Sequence, residues 1–336
     1  MTLSEHRVLI CSSSPDALNT NVQLRSYVAE GFSALVDVPG NVRACAADEA
    51  PAAIAAMRPS LLVIFGTLYP DRVDLTDIAL AAKNVGAHVA VWVHDDPYEF
   101  DFAFRAVEVA DTIFTNESSA VRFYHHDRVR HLPLAASPVA HLRPIAEKSG
   151  VDLSFCGYAY PNRIRFFLDL LPRLAGRVAI VGAGWPSGHP SFSNVRMDVD
   201  ALCDLYASSL CTVNIGRDFD LANERYRLTS ATPGPRTFEA AMAGAAQLYF
   251  VSSLEITDYF AAGEEVALVD SVDDVAAWVE RFRADPELNY RMRRLSQQRA
   301  LRDHTYANRA ATLLNECFGL NVTARPAEIA GGSPAT

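Results

Sequence analysis

The chain is 336 residues long, half of its residues are hydrophobic, and its net charge at pH 7 is −10. This length exceeds that of one typical domain and fits two domains, each with its own core. The acidic balance, without a block of lysine and arginine, argues against a nucleic acid polymer or an anionic membrane surface as the main partner. No stretch reaches the roughly 18 apolar residues that a membrane-spanning helix needs, so we expect no membrane span.

The first half alternates short apolar runs with helical patterns. The strands predicted there are 7–11, 61–65, 88–93, 112–115 and 129–134. One predicted helix begins after Asp74 and ends at Gly86, because aspartate caps helix starts and glycine favours helix ends. A second helix is predicted over 100–107 from apolar residues at i, i+3, i+4 and i+7.

The second half repeats this alternation. Its predicted strands are 152–156, 177–181, 210–215, 246–250 and 266–269, with helices around 164–171 and 275–282. Strands that alternate with helices indicate parallel sheets covered on both faces. We therefore predict an α/β fold with two Rossmann-like domains that face a cleft. The predicted ranges are 1–140 for the first domain, 151–315 for the second, and 322–336 for a disordered tail.

The cysteines are scattered and form no CxxC pair, which is typical of reduced core residues rather than of disulfides or zinc ligands. They are Cys11, Cys45, Cys156, Cys203, Cys211 and Cys317. A strand begins at residue 7, which leaves no room for a visible signal peptide. We accordingly expect a cytoplasmic protein, and the residues carry no signal for an oligomeric state.

Polar or glycine-rich segments follow four of the predicted strands. They are 94–97, 157–163, 182–185 and 216–217, the last of which leads into a loop of about 20 residues. Ligands of parallel α/β sheets bind at the carboxyl ends of the strands. A loop of that length inside a compact domain is usually functional. These segments therefore predict a ligand site in the cleft.

The segment TPGPRTFEAAMAG, residues 232–244, carries Arg236 into the first turn of a helix and Glu239 one turn further. A helix start offers unpaired N–H groups and partial positive charge to a phosphate, and arginine adds a bidentate donor. A carboxylate one turn along can accept two hydrogen bonds from a ribose diol. The segment thus predicts a nucleoside diphosphate site. The alternative is an ordinary amphipathic helix with a capping carboxylate.

Two other segments admit more than one interpretation. VGAGWPSG has the glycine spacing of a dinucleotide fingerprint, but Pro186 and Pro190 prevent the helix that the fingerprint needs. We interpret its glycines as a turn that admits a nucleotide base, not as an NAD(P) site. His94 and Asp95, with Asp96 before a proline, form either a capped strand-end turn or a catalytic pair at the cleft.

Together the segments FCGYAYPNR, VAIVGAGW, GPRTFEAAMAG and YFAAGEEVALVDSVDDVAAWV, followed by His304-Thr305-Tyr306, resemble GT-B glycosyltransferases of the spore-maturation CgeB-like type. This group is related to glycosyltransferase family 4. The resemblance covers most of the second half, whereas the first half matches mainly through WVHDDP. It implies a donor site in the second domain and an acceptor site in the first.

The resemblance also implies roles for individual residues. Glu239 would hold the donor ribose, and His94 and Asp95 would lie at the transferred sugar. The other implied donor-site residues are Arg236, Thr237 and Arg163 around the diphosphate, Gly157 for close backbone approach, Trp185 and Gly184 beside the base, and Asn214. No metal and no cofactor other than the donor substrate is expected, because helix starts and basic residues hold the diphosphate.

One departure from family 4 is the glutamate that usually lies eight positions before the ribose glutamate, since Ala231 stands there. Three hypotheses follow. The first is transfer of a sugar, with uridine diphosphate as the carrier, to a hydroxyl of a small metabolite, nucleoside, protein or glycan. The second is a sugar-nucleotide epimerase or hydrolase that has no separate acceptor. The third is a non-catalytic protein that binds a nucleotide sugar.

Overall fold

A computed structural model describes residues 3–18, 21–36, 38–69, 73–145 and 150–326. The strands of its first sheet are β1 (Val8–Ser12), β2 (Val42–Cys45), β3 (Leu61–Gly66), β4 (His88–Val93), β5 (Thr112–Thr115) and β6 (Val129–His131). All neighbours pair in parallel, in the order β2-β1-β3-β4-β5-β6. The strands predicted at 88–93 and 112–115 are confirmed. Strand β2 was not predicted because it is a partly exposed edge strand without an apolar run.

The second sheet is also parallel. Its strands are β7 (Val151–Cys156), β8 (Val178–Val181), β9 (Phe192–Ser193), β10 (Ser209–Asn214), β11 (Gln247–Phe250) and β12 (Ala267–Val269). They pair in the order β12-β11-β10-β7-β8-β9. The two sheets confirm the predicted fold of two Rossmann-like domains.

Helices connect most of these strands and cover both faces of each sheet. In the first half they are α1 (Asn21–Val36), α2 (Ala50–Met57), α3 (Leu75–Asn84), α4 (Phe104–Val107) and α5 (Pro138–His141). In the second half they are α6 (Pro161–Leu170), α7 (Val199–Ser208), α8 (Pro235–Met242), α9 (Val272–Ala284), α10 (Pro286–Asp303) and α11 (Tyr306–Phe318). The Asp74 carboxylate caps α3 as predicted, by accepting from the Thr76 N–H at 2.8 Å. The helix predicted over 100–107 is instead a 3₁₀ turn followed by the short α4.

Helix α11 packs on the first sheet although it follows the second domain in the chain. Tyr306, Leu313 and Leu314 are buried with Val8 and other residues of the first sheet and α1. By packing, α11 therefore belongs to the first domain, whereas the predicted second domain, 151–315, ends inside it. An apolar stripe along a helix shows that one face is buried, but it does not show which sheet buries that face.

The end of the chain contacts the body of the protein before the described residues stop. The Asn315 side chain both donates to and accepts from the backbone of Val322. Most of the tail predicted as disordered, 322–336, lies outside the described residues. No helix in the described part of the chain is both long and apolar enough to cross a membrane. All six cysteines are free thiols, and a cytoplasmic location stays a prediction.

Candidate active site

A cavity of about 900 Å³ lies between the carboxyl ends of the two sheets. The first sheet contributes residues that follow β4 and β5, and the second contributes residues that follow β7, β10 and β11. Parallel α/β sheets place their ligand sites at these strand ends. The predicted cleft is thus present, and the motifs that follow the strands line it.

Two helices begin at this cavity without a side-chain cap. The N-cap of α8 is Gly234, which has no side chain, and the N-cap of α6 is Tyr160, whose side chain makes no capping hydrogen bond. By contrast α7, α9 and α11 begin with capping side chains that accept such bonds. An uncapped helix start leaves N–H groups and partial positive charge available to an anion. The second-domain wall therefore offers two helix starts that suit a diphosphate.

Arg236 covers Glu239 at the start of α8. Arg236 lines the cavity with 48% of its side chain exposed, and its guanidinium donates to the Glu239 carboxylate. The negative charge of Glu239 raises the pKa of Arg236. The Glu239 side chain is only 5% exposed, and its Oε1 lies 3.9 Å from Nε2 of His141 on α5.

Glu239 consequently does not form part of the cavity wall, in contrast to its predicted contact with a ribose. It lies one turn below the helix start, on the side of α8 that packs against α5. A ribose would reach this carboxylate only if the Arg236 guanidinium moved aside. In this arrangement the carboxylate instead fixes the arginine at the cavity.

Arg163, predicted to lie beside the diphosphate, lines the cavity, but its guanidinium donates to backbone carbonyls. It donates to the carbonyl oxygens of Ile215 at 2.8 Å, Gly216 at 3.3 Å and Tyr158 at 3.0 Å. Burial lowers the pKa of Arg163 to about 10. Its hydrogen bonds join the turn after β7 to the segment after β10, so toward a diphosphate it would contribute charge more than hydrogen bonds.

The structure corrects the prediction that Trp185 flanks a base. Trp185 is 3% exposed in the core of the second domain, where its indole stacks on Phe192. Its Nε1 donates to the Gly157 carbonyl at 3.1 Å. The adjacent Gly182 has φ +147°, and a Cβ there would lie 2.0 Å from the same carbonyl oxygen. Gly182 therefore leaves room for the Gly157 carbonyl, and the indole of Trp185 holds this carbonyl by a hydrogen bond.

Of three further residues predicted at the donor site, two line the cavity and one lies outside it. Thr237 and Asn214 line it, and Asn214 donates to the Gln247 side chain at 2.6 Å. Gly184 is exposed beside Tyr158 and is not part of the cavity wall. Gly157 is not part of the cavity wall, and a Cβ there would lie 3.0 Å from Nη1 of Arg163.

His94 and Asp95 follow β4 and line the opposite wall, as predicted. Burial lowers the pKa of His94, so its imidazole is neutral at pH 7. Oδ1 of Asp95 accepts a hydrogen bond from Nη2 of Arg217 at 2.9 Å, across the cleft. The sequence had located Arg217 only as part of a strand-end segment, because nothing local indicates its long-range partner.

Two buried carboxyl groups lie behind Asp95. Asp96 accepts from the hydroxyls of Thr115 at 2.6 Å and Tyr124 at 2.7 Å, and burial raises its pKa to about 6. Glu99 accepts from the Thr67 hydroxyl and the Leu68 N–H, and burial raises its pKa to about 8. Sequence analysis did not identify Glu99, because a glutamate directly before a predicted helix resembles a surface residue at a helix start.

The long loop after β10, residues 216–234, crosses to the first domain, and we name it the strap. The N–H groups of Leu221 and Ala222 donate to the Tyr98 carbonyl at 2.8 and 2.9 Å. At its other end the buried Glu117 carboxylate accepts from the N–H groups of Ala231 at 3.1 Å and Thr232 at 3.2 Å. The strap lines much of the cavity, so residues of the second domain complete the wall that His94 and Asp95 form in the first.

Glu99 makes the stability of the protein depend on pH. Its pKa is about 8 in the folded protein and 4.5 as the ordinary value, so the folded state retains a proton that the unfolded chain releases. The free energy of unfolding should therefore fall as pH rises from about 4.5 to about 8. We expect Glu99→Gln, which cannot ionise, to flatten this decline in Tm between pH 5 and 9. Glu49→Gln at the surface serves as the control, and equal slopes for wild type and Glu99→Gln would contradict the prediction.

Comparison with known proteins identifies the class to which this site and fold belong. A family model described as "Glycosyl transferase-like" matches residues 148–315, half of the chain. The chain belongs to this glycosyl transferase-like family. Spore protein CgeB of Bacillus subtilis (strain 168) is 25% identical over 183 residues, which are 49% of this chain and 57% of CgeB. The chain thus spans little more than half the length of this relative.

Solved structures share the fold over nearly the whole chain at low identity. Sucrose-phosphate synthase from Thermosynechococcus elongatus has a TM-score of 0.59 at 11% identity and covers 91% of this chain and 97% of its own. HepE of Anabaena, in complex with UDP-glucose, has a TM-score of 0.61 at 9% identity, with coverage of 94% and 100%. BGT of phage T4, also in complex with UDP-glucose, has a TM-score of 0.61 at 9% identity and covers 93% of this chain and 99% of its own. The two-domain architecture is therefore the GT-B fold.

Proposed function

We propose that this protein transfers a sugar from a UDP-sugar to a hydroxyl acceptor. The observation that carries the proposal is the pairing of two walls across one cavity. Uncapped helix starts and Arg236 lie on the second-domain wall, and His94 and Asp95 lie on the first-domain wall. Membership of the glycosyl transferase-like family supports the reaction class. The UDP-glucose in the structures of HepE and BGT supports the choice of carrier.

The donor diphosphate would lie against the starts of α8 and α6. Arg236 and the Thr237 hydroxyl are the side chains that line the cavity at the start of α8. Negative charge grows on the diphosphate as the bond to the sugar breaks. Fixed N–H groups and a guanidinium stabilise that charge without reorganisation during the reaction. We propose that these groups hold the donor without a metal ion and without a resident cofactor.

The acceptor hydroxyl would lie between the first-domain wall and the strap. We propose that Asp95 accepts the hydroxyl proton as the acceptor oxygen attacks the anomeric carbon, which would invert the configuration there. The neutral imidazole of His94 would bind a sugar hydroxyl. The alternative is a retaining mechanism, in which the leaving phosphate takes the proton and Asp95 positions the sugar with His94.

Binding of UDP is the first test of this proposal. At a UDP concentration one hundred times Kd, a ligand of the folded state adds about 2.7 kcal/mol to the free energy of unfolding, so Tm should rise by several degrees. We expect this shift with UDP, with or without EDTA, and none with NADH. Arg236→Ala should reduce it. A panel in which no nucleoside diphosphate raises Tm would contradict the assignment.

The two other hypotheses give different results with a sugar donor. An epimerase or hydrolase would convert UDP-glucose rapidly when no acceptor is present. A non-catalytic binding protein would bind the donor and turn over none of a broad panel of hydroxyl acceptors. Transfer that requires an added acceptor, detected by mass spectrometry of the product, supports the proposed function over both.

A further inference from the structure

Arg217 joins the two walls of the cavity. It follows β10 in the second domain, and its Nη2 donates at 2.9 Å to Oδ1 of Asp95, which follows β4 in the first domain. Asp95 is the residue proposed to act on the acceptor. The contact therefore links the donor-binding domain directly to the acceptor side of the site.

Aromatic side chains hold the Arg217 guanidinium in this position. Its Cζ lies 3.6 Å from the centroid of the Tyr98 ring, a distance at which the ring face attracts a cation. Its Nη1 lies 3.4 Å from the hydroxyl oxygen of Tyr160. The side chain is only 16% exposed. A largely buried guanidinium that stacks on a ring and donates hydrogen bonds is fixed in orientation, unlike the guanidinium of a surface arginine.

We propose that Arg217 is a positioning residue that orients Asp95 when the two domains are closed. With Oδ1 held by the guanidinium, Oδ2 is the oxygen that meets the acceptor hydroxyl. Because Arg217 belongs to the donor-binding domain, the Asp95 carboxylate has this orientation only when the two domains are closed on each other. This inference rests on the proposed function.

The charged groups nearest Asp95 single out Arg217 as its cationic partner. The adjacent imidazole of His94 is neutral at pH 7, and Asp96 and Glu99 are buried acids. Arg163, whose Cζ lies 5.0 Å from the centroid of the Tyr160 ring, directs its hydrogen bonds to backbone carbonyls. Removal of Arg217 would therefore release Oδ1 of Asp95 from the group that orients the carboxylate.

The test compares Arg217→Ala and Arg217→Lys with wild type, each with and without Asp95→Asn. For Arg217→Ala we expect kcat to fall about tenfold. The Kd for UDP should stay within about twofold. Arg217→Lys keeps a charged donor near Asp95, so it should recover part of the lost kcat. With Asp95→Asn present, Arg217→Ala should cost almost nothing more, because both act through one carboxylate.

Arg225→Ala is the matched control. Arg225 also belongs to the strap and also stacks on a tyrosine, Tyr226, at 5.5 Å, but it is exposed. Arg225→Ala should leave kcat unchanged.

Three results would overturn the inference. Weaker UDP binding by tenfold or more in Arg217→Ala would make Arg217 a ligand of the donor. Additive losses with Asp95→Asn, or no recovery of kcat in Arg217→Lys, would separate Arg217 from Asp95. Failure of the proposed function itself has a different signature, since wild-type protein would then show no stabilisation by UDP.

Discussion

Asp95→Asn should lower kcat by about 10²- to 10⁴-fold, the usual contribution of a general base, and leave the Kd for UDP nearly unchanged. The asparagine keeps the size of the side chain and an oxygen for Arg217, but it cannot take the acceptor proton. The groups proposed to bind the diphosphate come from the other wall, at the starts of α6 and α8. Steady-state kinetics and calorimetric titration with UDP separate the two effects.

Asp77→Asn provides the control for this substitution, because Asp77 is an exposed carboxylate of the same domain, on α3, that does not line the cavity. It should leave kcat near the wild-type value. The anomeric configuration of the product, observed by NMR, decides the role of Asp95. Inversion supports the base, and retention supports sugar positioning by Asp95 and His94. An Asp95→Asn enzyme with wild-type turnover would remove Asp95 from the mechanism.

Glu239→Ala should weaken UDP binding by about 10- to 150-fold, which corresponds to the loss of a charged hydrogen-bond partner worth about 1.5–3 kcal/mol. The carboxylate is buried and accepts a hydrogen bond from Arg236. Its removal would therefore leave the guanidinium that lines the cavity without the partner that fixes its orientation toward UDP. Glu239→Gln should lose less, since the amide oxygen can still accept from Arg236. Asp152→Asn breaks an ion pair with Arg283 in the same domain outside the cavity wall, and it should leave UDP binding unchanged.

A UDP analogue that lacks the ribose 2′-hydroxyl distinguishes the two ways in which Glu239 can act. If Arg236 moves aside and the carboxylate binds the ribose, wild-type protein should bind the analogue more weakly than UDP, and Glu239→Ala should not discriminate. If Glu239 acts through Arg236, both proteins should bind the two ligands in the same ratio. Wild-type affinity for UDP in Glu239→Ala would contradict both.

The elements that build the two sheets could be predicted because each carries its own signal. Strands β4 and β5 are continuous apolar runs, as expected for strands buried on both faces. Asp74 and the Gly-Pro pair at 234–235 signal the starts of α3 and α8 through local backbone chemistry. The position of the site could be predicted as well, since parallel strands bring their carboxyl ends to one edge of the sheet.

The sequence by itself determined the fold class and the segments that meet at the cleft, whereas tertiary structure decided which side chains face the ligand. Periodicity reports an apolar face but not its partner, so it did not indicate that α11 packs on the first sheet, and Trp185 was expected beside the base although it lies in the core. The contacts of Arg236 with Glu239 and of Arg217 with Asp95 depend on side-chain orientation. For Arg217 and Asp95, 122 residues apart, no local pattern encodes the contact, because packing of the two domains creates it.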